Sequence, residues 1–144
     1  MTTFLLDINV LIALIDPAHV QHEPAHAWFA RQGHKSWATC PLTENGVLRI
    51  VGHSRYPNSP GTPAAVSPLL TAMCELPGHI YWPDDISLRD TAHIDSSRLL
   101  SSAQITDTYL LALASAHDGH LVTFDRRLVV DAVPGGAQHL KLIE

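Results

Sequence analysis

The stretch TFLLDINVLIAL (Thr3–Leu14) is an apolar run interrupted once, by Asp7, with Asn9 two residues later. Residues 3–6 read as a short buried strand, ended by the polar residue. Residues 8–15 (INVLIALI) read as a helix that begins as soon as the strand stops. The placement of one carboxylate at that junction raises the question of what it meets there.

The alternation continues along the chain. DPAHVQHEP is a loop broken by Pro17 and Pro24, and residues 25–32 form a helical piece around Trp28 and Phe29. SWATC (36–40) is a second strand, ended by Pro41. Thr43 is the expected cap of a helix over 44–52, with Glu44 in its first turn, where negative charge suits the helix dipole. After a Gly/Pro/Ser/Asn-rich loop (52–61), Thr62 and Pro63 start another helix. Its stripe of Val66, Leu69, Leu70, Met73 and Cys74 predicts one buried face. HIYW (79–82) is a third strand, and residues 86–101 are expected to be helical in part. Thr106 is the expected cap of a helix over 107–117, closed by Asp118 and Gly119. HLVTF (120–124) is a fourth strand, stopped by Asp125, and LKLI (140–143) a fifth, at an edge.

Strands alternating with helices predict an α/β fold: a three-layer α/β/α sandwich with a mainly parallel central sheet of four to five strands. The length of 144 residues fits one domain, 1–144. Apolar residues make up 46% and charged residues 16%, which excludes a disordered chain. No apolar run is long enough to span a membrane, and the N-terminal run lacks a basic flank and a cleavage site, so a cytoplasmic protein without a signal peptide is expected. Cys40 and Cys74 lie far apart without metal-type spacing and read as small buried hydrophobes. The formal net charge of −5 argues against loose electrostatic binding of nucleic acid, but it hides opposed regions. Residues 31–55 carry Arg31, Lys35, Arg49 and Arg55 against Glu44 alone, whereas residues 84–107 are rich in aspartate.

In parallel α/β sheets, ligands bind beyond the carboxyl ends of the strands, where the strand order reverses. Asp7, Glu44 and Asp125 all follow strands and so fall at that edge. Asp107 joins them, because a helix leading into a strand starts there. Clustered carboxylates repel, raise one another's pKa and call for a cation. Oxygen-only ligands suit Mg²⁺ or Mn²⁺ better than zinc, and such ions serve phosphodiester hydrolysis. Taken singly, each acid is also an ordinary turn or cap residue.

LLDINVLIAL, TCPLTENGVLRIV, ITDTYLLALA and LVTFDRRL, in this order and spacing, resemble the PIN-domain ribonucleases, in particular VapC-type toxins of bacterial toxin–antitoxin pairs. The resemblance covers nearly the whole chain. It implies a Mg²⁺- or Mn²⁺-dependent endoribonuclease whose catalytic and metal-holding acids are Asp7, Glu44, Asp107 and Asp125. It also implies structured RNA substrates (tRNA or rRNA), a cognate antitoxin that blocks the site, and a homodimer. The family's small polar residue falls on Asn9, which either caps the helix or orients a carboxylate or a metal-bound water. Its hydroxyl falls on Thr123, either an ordinary strand residue or a support for Asp125.

Arg49, Arg126 and Arg127 are candidate RNA phosphate contacts, or solvated surface charges. His22 and His26 lack a third ligand and read as structural. Trp28, Trp37 and Trp82 read as core or partner-facing rather than base-stacking. Three other functions compete. An aspartyl phosphatase wants an acid where Asn9 stands. A phospho-acceptor domain wants an acidic pair after the first strand and a late lysine near the acids, whereas Ile8 follows Asp7 and the lysines are Lys35 and Lys141. A non-catalytic PIN-like RNA-binding scaffold would not need all four acids.

Overall fold

Three apolar residues make the central strand. In the computed structural model, which describes residues 1–144, β1 (Phe4–Leu6) is buried along its whole length, as a strand covered on both faces must be. Its side chains alternate between two cores. Phe4 and Leu6 pack with Trp28, Trp37, Val47, Val66 and Val122. Leu5 packs with Ala38, Leu110, Leu113 and Leu121 on the other side. All three tryptophans are buried.

Around β1 stand β2 (Trp37–Thr39), β3 (His79–Tyr81), β4 (His120–Thr123) and β5 (Leu140–Leu142), in the order β3-β2-β1-β4-β5. Every pairing is parallel, with Phe4 opposite Trp37 on one side and Leu6 opposite Val122 on the other. Helices α1 (Ile8–Ile15), α2 (His22–Arg31), α3 (Pro41–Val51) and α4 (Pro63–Cys74) supply the core that holds Phe4 and Leu6. Helix α5 (Ile105–Ala116) supplies the core that holds Leu5. The expected three layers and parallel sheet are therefore present. The chain proceeds outward from β1 through β2 and β3, then returns to pair β4 on its other flank. The strand order reverses between β1 and β4, which opens a crevice at their carboxyl ends. No helix is long and apolar enough to cross a membrane.

Several boundaries differ from expectation for local reasons. Helix α3 starts at Pro41, with Cys40 as its cap. Thr43 sits inside the first turn, and its hydroxyl accepts the Cys40 N–H and donates to the Cys40 carbonyl, both at 3.0 Å. Helix α2 starts at His22 and holds Pro24 in its first turn, where a missing N–H costs nothing. Helix α5 starts at Ile105, ahead of Thr106, and is preceded by a 3-10 turn, Ser102–Gln104, capped by Ser101. Residues 86–101 hold only one 3-10 turn, Ser96–Arg98. Asp90 and Asp95 accept the backbone N–H groups of Ala92 and Ser97, and such bonds favour turns over helix. On α4, Val66 and Leu70 are buried, but Leu69 is 49% exposed, and Met73 and Cys74 are only half-buried.

One glycine sets the approach of two helices that lead out of the sheet. A Cβ on Gly46 of α3 would stand 2.5 Å from Ile8 Cδ1 and 2.8 Å from Ile8 Cγ1. Ile8 opens α1 directly after Asp7. Gly46→Ala is therefore expected to lower the unfolding free energy by about 1–3 kcal/mol, the usual cost of overpacking. Equilibrium denaturation in urea measures it.

Candidate active site

Asp7 leaves β1 and caps α1 in one step. Its Oδ1 accepts the Ile8 N–H at 2.7 Å, and its Oδ2 accepts the Thr123 hydroxyl at 2.8 Å. The residue is only 6% exposed. Burial pushes its pKa up and the charge of Asp125 adds to this, while the hydrogen bonds from Thr123 and Ile8 pull it down. With Asp7 as the cap, Asn9 is not one. Asn9 lies exposed at the second position of α1 and makes no hydrogen bond to a carboxylate.

Thr123, the last residue of β4, is 1% exposed. Its hydroxyl gives its proton to Asp7 and accepts the Asp125 backbone N–H at 3.1 Å. The support expected for Asp125 therefore reaches only its main chain, and the carboxylate that Thr123 serves is Asp7. Asp125 lies exposed just beyond Phe124, and its Oδ1 accepts the Arg127 N–H at 2.8 Å.

Asp107 projects from the first turn of α5. Partial burial pushes its pKa up to about 6, helped by the negative charges of Asp7 and then Asp125. These three aspartates thus share one site across the β1–β4 crevice. Asp107 and Asp125 line a cleft of about 210 Å³ together with Gln104 and Arg127. The start of α5 is held by Gln104, whose side-chain oxygen accepts the N–H groups of Leu100 and Ser101 at 2.9 and 3.1 Å.

Glu44 stands at the same sheet edge, one strand to the side. Its Oε2 accepts the Thr39 hydroxyl at 2.7 Å, at the end of β2. That same hydroxyl lies 2.8 Å from His79 Nε2. Glu44 is not among the charges that raise Asp7 or Asp107; it acts on Cys74, His79 and Tyr81. The structure brings three of the four expected acids together and turns the fourth toward β3. It also corrects the reading of Cys74 as a buried hydrophobe: the thiol is half-buried beside Glu44 and His79. Sequence spacing gave no signal for this group, because its members come from α3, α4 and β3.

The arginines divide. Arg127 lines the acidic cleft, and Arg126 is exposed beside it. Arg49 lies in the last turn of α3 and borders a different surface hollow, with His53 and Arg55. The rings of His22 and His26 lie tilted, 5.6 Å between centroids, and His22 Nδ1 bonds the Ala13 carbonyl at 2.7 Å, a structural use.

The raised pKa of Asp107 has a consequence for stability. Asp107 binds its proton more tightly in the fold than in the unfolded chain, so it destabilises the fold progressively as pH rises from 3.8 to about 6. Discounted for solvent screening, the cost above that range is about 1–2 kcal/mol. Asp107→Asn should be more stable than wild type by that amount at neutral pH. The advantage should fade below a pH of about 4. Urea denaturation at several pH values, with a chelator present, measures the difference.

A family model described as PIN domain matches residues 4–133. Ribonuclease VapC44 of Mycobacterium tuberculosis is 48% identical over 137 residues, which cover 94% of this chain and 96% of that one. Ribonuclease VapC39 of the same organism is 42% identical over 133 residues, 92% and 96% of the two chains. The crystal structure of M. tuberculosis VapC20, a Sarcin-Ricin loop cleaving toxin, aligns with a TM-score of 0.64 at 13% identity, covering 91% of this chain and 96% of that one. That of VapBC2 from Rickettsia felis, bound to a DNA fragment from their promoter, aligns with a TM-score of 0.59 at 9% identity, covering 99% and 100%. These two structures speak for the fold and the sequence relatives for the family. With its acids at the switch point of an all-parallel sheet, the chain belongs to the PIN-domain family, among the VapC ribonucleases.

Proposed function

We infer that this protein is the toxin of a toxin–antitoxin pair, an endoribonuclease that hydrolyses phosphodiester bonds in RNA with Mg²⁺ or Mn²⁺ and thereby inhibits translation and growth. The observation that carries the reading is the gathering of Asp7, Asp107 and Asp125 across the β1–β4 crevice, where burial, and after it the charges of Asp7 and Asp125, lift Asp107 to about 6. The donors are oxygen only and uncompensated by any lysine. Lys35 precedes β2 at the opposite sheet edge, and Lys141 lies within β5. That donor set fits a hard divalent ion. It also removes the support for a phospho-acceptor site, which needs a lysine among its acids.

Asp7, Asp107 and Asp125 would hold the ion, with Glu44 joining from α3. Bound there, the ion supplies stabilisation of charge on the phosphate oxygens and lowers the pKa of a water nucleophile. The chain's own residues then orient and bind. Thr123 and the Ile8 amide hold the two oxygens of Asp7 in fixed directions. Arg127 and Arg126 stand where an RNA phosphate would lie against the cleft, and Arg49 serves RNA farther along α3. Asn9 faces solvent beside Asp7, where a polar contact to substrate is open to it. Structured RNA, tRNA or rRNA, is the substrate class. The cognate antitoxin masks the acids with a basic segment, since it must offset the same charge that a cation does. Single-domain organisation over 1–144 and a homodimer complete the reading.

Asp7→Asn tests it. The variant should fold, lose at least about 10²–10³-fold in RNA cleavage, the scale for removing one electrostatic catalytic group, and no longer arrest growth on induction. EDTA should abolish wild-type cleavage, and Mg²⁺ should restore it. Cleavage by Asp7→Asn at the wild-type rate contradicts the assignment.

A further inference from the structure

The side chains of Glu44, Cys74 and His79 form a second cluster whose chemistry differs from that of the aspartates. Their ligand atoms, a carboxylate oxygen, Sγ and a ring nitrogen, all lie within 4.8 Å of one another. All three residues are half-buried, so the group opens to solvent on one side. Each comes from a different element: the first turn of α3, the last residue of α4 and the first residue of β3.

The ligands are already oriented. Thr39 donates to Glu44 at 2.7 Å and lies 2.8 Å from His79 Nε2, so one hydroxyl holds both toward a common point. The His79 ring also packs on Trp37, at 4.6 Å between centroids. With its one proton given to Glu44, the Thr39 hydroxyl accepts from His79 Nε2, so an ion bound through Nδ1 keeps this contact as an outer support, whereas one bound through Nε2 displaces the proton and the contact. Tetrahedral zinc needs ligand atoms about 3.3–3.7 Å apart, so closing the group takes side-chain shifts of about 1 Å. One sulfur, one nitrogen and one oxygen, with a fourth position open, select zinc and like ions over magnesium.

We propose that Glu44, Cys74 and His79 bind a thiophilic divalent ion of the zinc class, and that this ion holds Glu44 away from the aspartate site and suppresses RNA cleavage. The inhibitory half rests on the ribonuclease reading of Glu44; the binding half does not. Glu44 is the hinge between the two donor sets, because its flexible side chain starts at the shared sheet edge. A soft ion would favour the orientation seen here. A hard ion among the aspartates would favour the other.

Titration of the full-length, reduced protein with Co²⁺ in excess Mg²⁺ tests the site without RNA. One equivalent should produce a thiolate-to-cobalt charge-transfer band and d–d bands of tetrahedral intensity, and Zn²⁺ should remove them. Cys74→Ser and His79→Ala should each weaken Co²⁺ binding by at least about tenfold. Cys40→Ser should retain the spectrum, and circular dichroism checks that each variant folds. In the RNA assay, one equivalent of Zn²⁺ should slow Mg²⁺-supported cleavage by wild type at least about tenfold and leave Cys74→Ser at its zinc-free rate. Absence of the thiolate band or its survival in Cys74→Ser overturns the proposal, and equal inhibition of both proteins overturns its inhibitory half. Zinc binding that leaves wild-type cleavage unchanged overturns its inhibitory half. If no preparation cleaves RNA under any condition, the ribonuclease reading fails and takes the inhibitory half with it, while the cobalt spectrum still decides the site.

Discussion

A single hydrogen bond links the fold to the site: the Thr123 hydroxyl on Asp7 Oδ2, at 2.8 Å and buried. A carboxylate as enclosed as Asp7 is costly unless its oxygens are met by donors. One oxygen is met by the amide that begins α1, the other by the last residue of the neighbouring strand. The bond can form only if β1 and β4 pair in parallel with Leu6 opposite Val122, since that register sets Thr123 beside Asp7. It thus ties the strand reversal, the start of α1 and the carboxylate's direction into one condition. The same hydroxyl accepts the amide of Asp125, so the second acid is positioned by the residue that restrains the first.

Around that point the chain keeps two kinds of donor set apart. The aspartates on the β1–β4 side offer only oxygen and repel one another. The group on the β2–β3 side mixes oxygen, nitrogen and sulfur. Glu44 sits between them on the first turn of α3, and in this structure Thr39 holds it on the mixed side. The Thr39 hydroxyl donates to it there, whereas a fourth carboxylate among the aspartates would add to the negative charge that, together with burial, already raises Asp107.

Much of this was legible in the residues. Short apolar runs ended by Asp7 and Asp125 marked strands buried on both faces, and their alternation with helices led to the parallel sheet. Asp107 was legible because a helix returning to a strand must begin at the carboxyl edge. What failed was governed by contacts between elements distant in sequence, or by turn chemistry. Residues 86–101 lost their helix to Asp90 and Asp95, whose side chains satisfy nearby amides. Residue type alone marks Thr43 and Asn9 as possible caps, yet Cys40 and Asp7 take those positions. The orientation of Glu44 depends on Thr39 and His79, and the approach of Cys74 on where α4 ends above β3. Neither follows from spacing along one helix or strand.

The claim on which the rest depends is that three aspartates at the strand reversal form one repelling cluster that a divalent ion relieves. Carboxyl-carbon NMR titration of the metal-free protein measures it directly. Asp107 should titrate near a pH of about 6, well above the ordinary 3.8, and saturation with Mg²⁺ should move its midpoint below the ordinary aspartate range. An Asp107 that titrates at the ordinary value and does not respond to Mg²⁺ would contradict the claim.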